Sequence, residues 1–161
     1  MEVVITDMDY EVDYFEGKTR KILVLGSGGQ VGAYLTEYLR CADVEVMEFD
    51  ITNGPDQDMT VIPNGELEAK IYMADFVYFL AFDVGGSHYL KKYQHTFNFI
   101  DNNTRLMANA FGLIEKYKKP FVFASSQMSN MSYSPYGVLK LSLIHISEPT
   151  RQAEISYAVF C

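Results

Sequence analysis

The sequence predicts one α/β domain, a doubly wound fold on a mainly parallel sheet. Three observations lead there: apolar runs of strand length at 22–25, 76–82 and 121–124, helical periodicity between them, and glycine or proline where the character changes. A strand covered on both faces has no polar side to alternate with, so it reads as an unbroken apolar run. Strands that alternate with helices are joined by crossovers, and crossovers make parallel sheets.

Taken in order, residues 1–20 carry six acids in the first 16 positions and form an acidic N-terminal extension with at most a short edge strand. Residues 22–25 are the first buried strand, with glycine immediately after. Val31, Leu35, Tyr38 and Leu39 recur at helical spacing, predicting a helix over 30–40. Residues 44–49 alternate as a strand and end on Asp50, completing a strand-helix-strand unit of about 30 residues, the size of a right-handed crossover. Residues 51–64 hold two prolines and a glycine and read as a loop with a short strand near Met59. A helix over 66–73 and a strand over 76–82 follow, the latter closed by Val84-Gly85-Gly86. Leu90, Tyr93, Phe97, Ile100, Met107, Phe111 and Ile114 make an apolar stripe, predicting one long helix over 88–117 packed on the sheet. Pro120 introduces the strand at 121–124. A last helix carries residues 136–140, and Pro149 ends it near Ser147. There is no internal repeat and no low-complexity segment.

Composition narrows the function classes. The 161 residues are 48% hydrophobic and 21% charged, which suits one soluble domain and excludes disorder. The net charge is −8 with no basic run, which argues against a nucleic-acid partner. No stretch approaches the ~20 apolar residues of a membrane span. Cys41 and Cys161 fit neither a metal nor a disulfide spacing, so the reading is a reducing, cytoplasmic setting without a metal site.

The first chemical signal is Gly26-x-x-Gly29-x-x-Gly32, with Ser27, Gly28, Gln30 and Val31 between, set between a buried strand and a helix. A tight turn there needs a residue without Cβ, a pyrophosphate needs close backbone approach, and the helix N-terminus offers unpaired N–H groups to the anion. Val31 stands where the third glycine of G-x-G-x-x-G would fall, pointing to a variant dinucleotide turn; a merely flexible turn is the plain alternative. Asp50 lies 18 residues beyond Gly32, near the roughly 20-residue offset at which an acid meets the adenosine ribose. Its carboxylate would accept from both ribose hydroxyls and repel a 2′-phosphate, favouring NAD over NADP; the alternative is a strand-end cap. Asp58 and Met59 are placed to border the adenine or else form a solvated loop. Leu80, Ala81 and Phe82 end a strand at the carboxyl edge, where ligands bind in open α/β sheets.

The second signal is Tyr136 and Lys140, four residues apart and so on one helix face. An ammonium beside the phenol would lower its pKa and make it a usable proton carrier. Ser125 and Ser126 follow the strand at 121–124, where a hydroxyl can hold a substrate oxygen while Tyr136 moves the proton. An ordinary amphipathic helix and a loop-capping serine are the alternatives.

In this order and strand context the glycine pattern, Asp50, Leu80-Ala81, Ser125-Ser126 and Tyr136-x-x-x-Lys140 resemble the extended short-chain dehydrogenase/reductases, the NAD-dependent epimerase/dehydratase family, over about residues 21–140. The resemblance implies a Rossmann-type domain holding NAD, a nucleotide-sugar substrate, and Ser126, Tyr136 and Lys140 as the catalytic set, with Lys140 also holding the nicotinamide ribose. It implies a role for Asn102 or Asn103, a homodimer through the long helix and the one bearing Tyr136, and a C-terminal substrate domain before which this chain is truncated. Related dehydratases have an acidic pair after the active-site hydroxyl, where Gln127 and Met128 stand, so the reading is epimerase or simple oxidoreductase. The Ser126 to Tyr136 interval is also shorter than is usual. From about Ser142 the string SLIHISEPTR, then ISYAVFC, looks like translated sequencing adapter, so 142–161 are read as a non-native tail. A sheet so cut short would expose an edge and be marginally stable and aggregation-prone. The alternatives to an enzyme fragment are a non-catalytic NAD-binding regulatory module and an inactive truncated product.

Overall fold

The computed structural model describes the backbone of residues 2–6, 19–147 and 155–159, with side chains for 19–142. Six strands form one sheet: β1 (Glu2–Thr6), β2 (Arg20–Leu25), β3 (Val44–Phe49), β4 (Phe76–Phe79), β5 (Phe121–Ala124) and β6 (Ile155–Val159), in the order β3-β2-β4-β5-β1-β6. The four strands from β3 to β5 are parallel, whereas β1 and β6 add antiparallel. Among the described residues five α-helices accompany them: α1 (Gln30–Arg40), α2 (Gly65–Met73), α3 (Ser87–Tyr93), α4 (Phe97–Lys116) and α5 (Pro135–Ser147). This is the Rossmann-type α/β sheet that the apolar runs predict.

Alternation along the strands sends every second side chain to one face. Leu23, Leu25, Val77, Phe79, Phe121 and Phe123 join Leu67 and Ile71 of α2 and Leu106, Met107, Ala110 and Ile114 of α4 in one buried cluster. Phe79 anchors it, its ring 5.1 Å from Phe111 and 5.4 Å from Phe123. α1 packs on β2 and β3 and buries Thr36 and Leu39 outside that cluster. Leu25 pairs with both Phe49 and Phe79, and Phe79 with Phe123. The carboxyl ends of the four parallel strands therefore stop level with one another.

Four elements differ from expectation. The single helix over 88–117 is two: the Thr96 hydroxyl donates to Tyr93 O at 2.7 Å and accepts from Phe99 N at 3.3 Å, ending α3 and capping α4. Phe97, placed in the buried stripe, is instead 78% exposed. No strand forms near Met59; single 3-10 turns occupy Ile51–Asn53 and Pro55–Gln57, and Met59 is buried in the core. The β4 ladder ends at Phe79, three residues earlier than the apolar run, although Leu80 N still donates to Leu25 O at 2.9 Å. Finally, the outer side of β5 is not an open edge, because β1 pairs with it antiparallel through Val3↔Ala124, Val4↔Phe123 and Ile5↔Val122. The rest of the acidic extension, residues 7–18, and Pro149, Arg151 and Cys161 lie outside the described residues. Among the described residues no helix is long and apolar enough to cross a membrane.

Candidate functional site

The glycine turn joins β2 to α1 at the level where the parallel strands end. Gly26 has φ +87°, and a Cβ on it would lie 2.6 Å from Ala81 N, so the turn and the end of β4 touch backbone to backbone. A Cβ on Gly32 would strike the Gly26 carbonyl oxygen, and one on Gly28 would lie 2.7 Å from Asp50 Oδ1. Gly29 opens α1 with no side-chain cap, and Gly28, Gly29, Gln30 and Val31 are exposed. Ser27 Oγ is buried in this turn without a hydrogen-bond partner. An uncapped helix start, a glycine-lined approach and an unpartnered hydroxyl fit the pyrophosphate of a dinucleotide. The spacing alone did not single out Ser27, because a serine between glycines carries no periodic signal.

Asp50 is 9% exposed at the end of β3. Its Oδ2 accepts from Gly28 N at 3.0 Å, and its Oδ1 accepts from Thr52 N at 2.9 Å and Thr52 Oγ1 at 2.7 Å. Asp50 therefore caps the turn that follows it and also ties that turn to the glycines. Asp58 makes a similar turn, with Oδ1 accepting from Thr60 N at 2.8 Å and Thr60 Oγ1 at 2.7 Å. The Met59 side chain points into the core.

Behind the end of β4 lies a polar clamp. Asn103, fully buried on α4, accepts from Asp83 N at 2.8 Å and donates to Asp83 O at 3.1 Å and Phe99 O at 2.8 Å. Asn102 donates to Asp83 Oδ2 at 3.1 Å and Tyr89 Oη to Asp83 Oδ1 at 2.9 Å. Asn103 thus fixes the loop backbone, and Asn102 meets the Asp83 carboxylate. Phe82 leaves this loop to stand 5.4 Å from the Tyr136 ring, edge to face.

On the other side, β5 runs into Ser125 and Ser126. Ser125 Oγ is buried without a partner, while Ser126 Oγ accepts from Met128 N at 3.2 Å and opens a 3-10 turn. Tyr136 sits in the first turn of α5, whose start is fixed by Ser134, accepting from Gly137 N at 3.1 Å and donating to Gln94 Oε1 at 2.8 Å. Gly137 lets α5 approach the Met128 carbonyl so closely that a Cβ would strike it. Burial raises the Tyr136 phenol above its ordinary range, an effect that the neighbouring Ser126 hydroxyl offsets only in part. Lys140 is 2% exposed; its Nζ donates to Ala124 O at 2.7 Å and lies 3.9 Å from the Phe82 ring centroid and 4.3 Å from that of Phe123. Burial lowers this amine to about 7. Its distance to the Tyr136 ring centroid is 5.9 Å. The downward tuning of the phenol by an adjacent ammonium, expected from the spacing, is not present here: the amine engages Ala124, and burial dominates the phenol.

The family model described as the NAD dependent epimerase/dehydratase family matches residues 22–160. The fold is similar to that of a UDP-N-acetylglucosamine 4-epimerase from Bacillus cereus, at 20% identity and TM-score 0.58 over 80% of this chain and 53% of that one. It is similar to an ADP-L-glycero-D-manno-heptose-6-epimerase from Helicobacter pylori, at 15% identity and TM-score 0.65 over 83% and 52%. It is also similar to a short-chain dehydrogenase/reductase superfamily protein from Agrobacterium tumefaciens with bound NAD, at 21% identity and TM-score 0.59 over 81% and 46%. The chain thus spans about half the length of these solved structures. No curated protein matches it.

Proposed function

The chain belongs to the NAD-dependent epimerase/dehydratase family, and from that premise we propose that it is the N-terminal, dinucleotide-holding part of a cytoplasmic nucleotide-sugar epimerase or a related oxidoreductase. The observation that carries the reading is the convergence of the glycine turn, Asp50 and Tyr136, whose ring stands against Phe82, on one edge of the sheet. Gly26, Gly28, Gly29, Gln30, Val31 and Gly32 would take the pyrophosphate, Asp50 the adenosine ribose, Asp58 and Met59 the adenine, and Leu80, Ala81 and Phe82 the strand-end face of the cofactor. NAD, when bound, supplies the hydride acceptor. Tyr136 Oη takes the proton from a sugar hydroxyl, Ser126 Oγ holds the same oxygen, and Lys140 Nζ takes the nicotinamide ribose and offsets the charge left on the phenol. Gln127 and Met128 offer no carboxylic acid beside Ser126, so C–O cleavage lacks a proton donor there and epimerisation or simple oxidation is preferred to dehydration.

Calorimetric titration of the 161-residue chain with NAD tests the binding half; micromolar affinity with little response to NADP is expected, and no heat with either overturns it. For the chemical half, the chain joined to its native continuation should reduce bound NAD when given one of a set of nucleotide sugars. The chain alone is proposed to bind without turnover. A second reading, a binding module without chemistry, is favoured by one observation: Lys140 Nζ engages Ala124 O and the phenol is raised. Absence of NAD reduction by every nucleotide sugar in the completed protein would decide for it.

Two further proposals belong to this reading. Phe97, Ile100, Tyr133 and Val138 are exposed, and an open groove of about 250 Å³ lies between α4 and α5, which offers a face for a homodimer. Light scattering of the completed protein checks it. The segment from about Ser142 is proposed to be non-native; a long DNA read across the Lys140 codon should continue in frame into a longer helix, and an unchanged tail would refute this.

A further inference from the structure

The loop between β3 and α2 has no ladder to hold it, yet its carbonyls are not left to solvent. Two carboxamides collect them. Asn64, 8% exposed at the start of α2, donates to Asp56 O at 3.1 Å and Asp58 O at 2.8 Å while accepting from Leu67 N at 2.9 Å. Asn109 reaches across from α4 and donates to Met59 O and Val61 O, each at 3.0 Å. Its helix is rigid at this point, because the neighbouring Met107 and Ala110 are buried in the core. Gln57 adds the third tie, accepting from Asp50 N at 3.1 Å.

We propose that Asn109 is a positioning residue for base recognition, setting the height of the Asp58–Met59 segment so that it reads the six-position of a purine in the dinucleotide. The proposal rests on the dinucleotide reading above and deepens it. Three observations support it. The Met59 side chain is plugged into the core, so the segment can be shifted only through its backbone, and Asn109 holds that backbone. Asp58 Oδ1 is spent on Thr60, which leaves Oδ2 as the acceptor for an exocyclic amine. The two hydrogen bonds that Asn109 donates go to Met59 O and Val61 O and not to the glycine turn or Asp50, so its loss should disturb the base subsite while the pyrophosphate and ribose subsites stay in place.

The test is calorimetry on the full chain with NAD and with nicotinamide hypoxanthine dinucleotide, in which an oxo group replaces the six-amino group and faces Asp58 with an acceptor. The wild-type chain should prefer NAD by about tenfold, the scale of one good hydrogen bond. Asn109→Asp keeps the side-chain shape but offers no donor pair to the two carbonyls; Asn109→Ala is the second variant should the first not fold. Each should cut the preference below about threefold while affinity for the hypoxanthine analogue changes less than about twofold. Equal weakening of both ligands would make Asn109 merely structural and overturn the proposal. Asp58→Ala separates the proposal from its premise: if that change removes the preference and the Asn109 variants keep it, the base reading stands and Asn109's role fails. A wild-type chain that binds neither ligand, or both alike, defeats the premise and the proposal together.

Discussion

A methyl group on Gly137 would collide with the Met128 carbonyl oxygen, so α5 and the turn after Ser126 fit only because this position lacks a Cβ. Backbone has no rotamer with which to yield, and Gly137→Ala should destabilise the chain by about 2 kcal/mol or more, read as a lower denaturant midpoint. Lys140 makes a pH-dependent claim. Its amine titrates near ~10.4 when unfolded and at about 7 when folded, so between those values the unfolded chain binds more protons and stability rises with pH. Below about pH 7 both states are protonated and the penalty is complete, on the order of a few kcal/mol. Lys140→Met should therefore raise Tm by roughly 5 °C at pH ~6, with the gain shrinking as pH climbs from ~7 towards ~9. A gain equal at every pH would assign it to packing instead. On the proposed relay, Tyr136→Phe in the completed protein should remove most nucleotide-sugar turnover and leave NAD affinity within about twofold, because the change removes the proton-carrying hydroxyl and keeps the ring. The local requirements of Gly26, Gly32 and Asp50 were legible from the sequence, because each follows from an adjacent turn. Gly137, Ser27 and Asn109 were not, because what makes them matter is a neighbour brought up by the fold.

Elements were legible where one physical cause dominated. Ile22 to Leu25 and Phe121 to Ala124 are apolar on both faces and could be little else than central strands. The stretch from His88 to Tyr117 shows the limit: its apolar spacing fits one helix, and a single hydroxyl at Thr96 divides it by taking the last carbonyl of one helix and the third amide of the next. Likewise the strand expected at Met59 is replaced by turns, because Asp58, Asn64 and Asn109 offer the backbone partners that a ladder would otherwise supply. Asn103 plays that part for the loop after β4, with three hydrogen bonds from one buried carboxamide. Asn103→Leu keeps the volume but strands Asp83 N and Asp83 O, whereas Phe99 O keeps its helical backbone donor. An unfolding free energy lower by about 2–4 kcal/mol is expected in urea titration, the cost of leaving buried polar groups unpaired. A change below about 0.5 kcal/mol would mean that water replaces the carboxamide.

At the scale of the whole molecule the question is what closes the sheet beyond β5. β3 forms one border, and on the other side β1 lies antiparallel against β5, followed by β6 paired in turn to β1 from Glu2↔Val159 to Thr6↔Ile155. Sequence pattern could not reveal this, because five residues of a short strand carry no mark of their partner, and the acids around them suggest solvent. The consequence is that one short segment holds two pairings: without β1, β6 loses its neighbour and β5 presents a row of free N–H and C=O groups. Unpaired edges recruit other chains. A chain beginning at Thr19 should therefore associate without limit, eluting with a mass that keeps rising with concentration in light scattering, while the 161-residue chain shows no such open-ended growth at the same concentrations. Replacing Val4 with proline should act in the same direction, since Val4 lies in a strand paired on both sides and proline removes its one backbone donor from a strand interior. If neither variant shows such growth and both melt with the wild type, the pairing of β1 contributes nothing to stability, and the sheet's four parallel strands with α2, α4 and α1 suffice on their own.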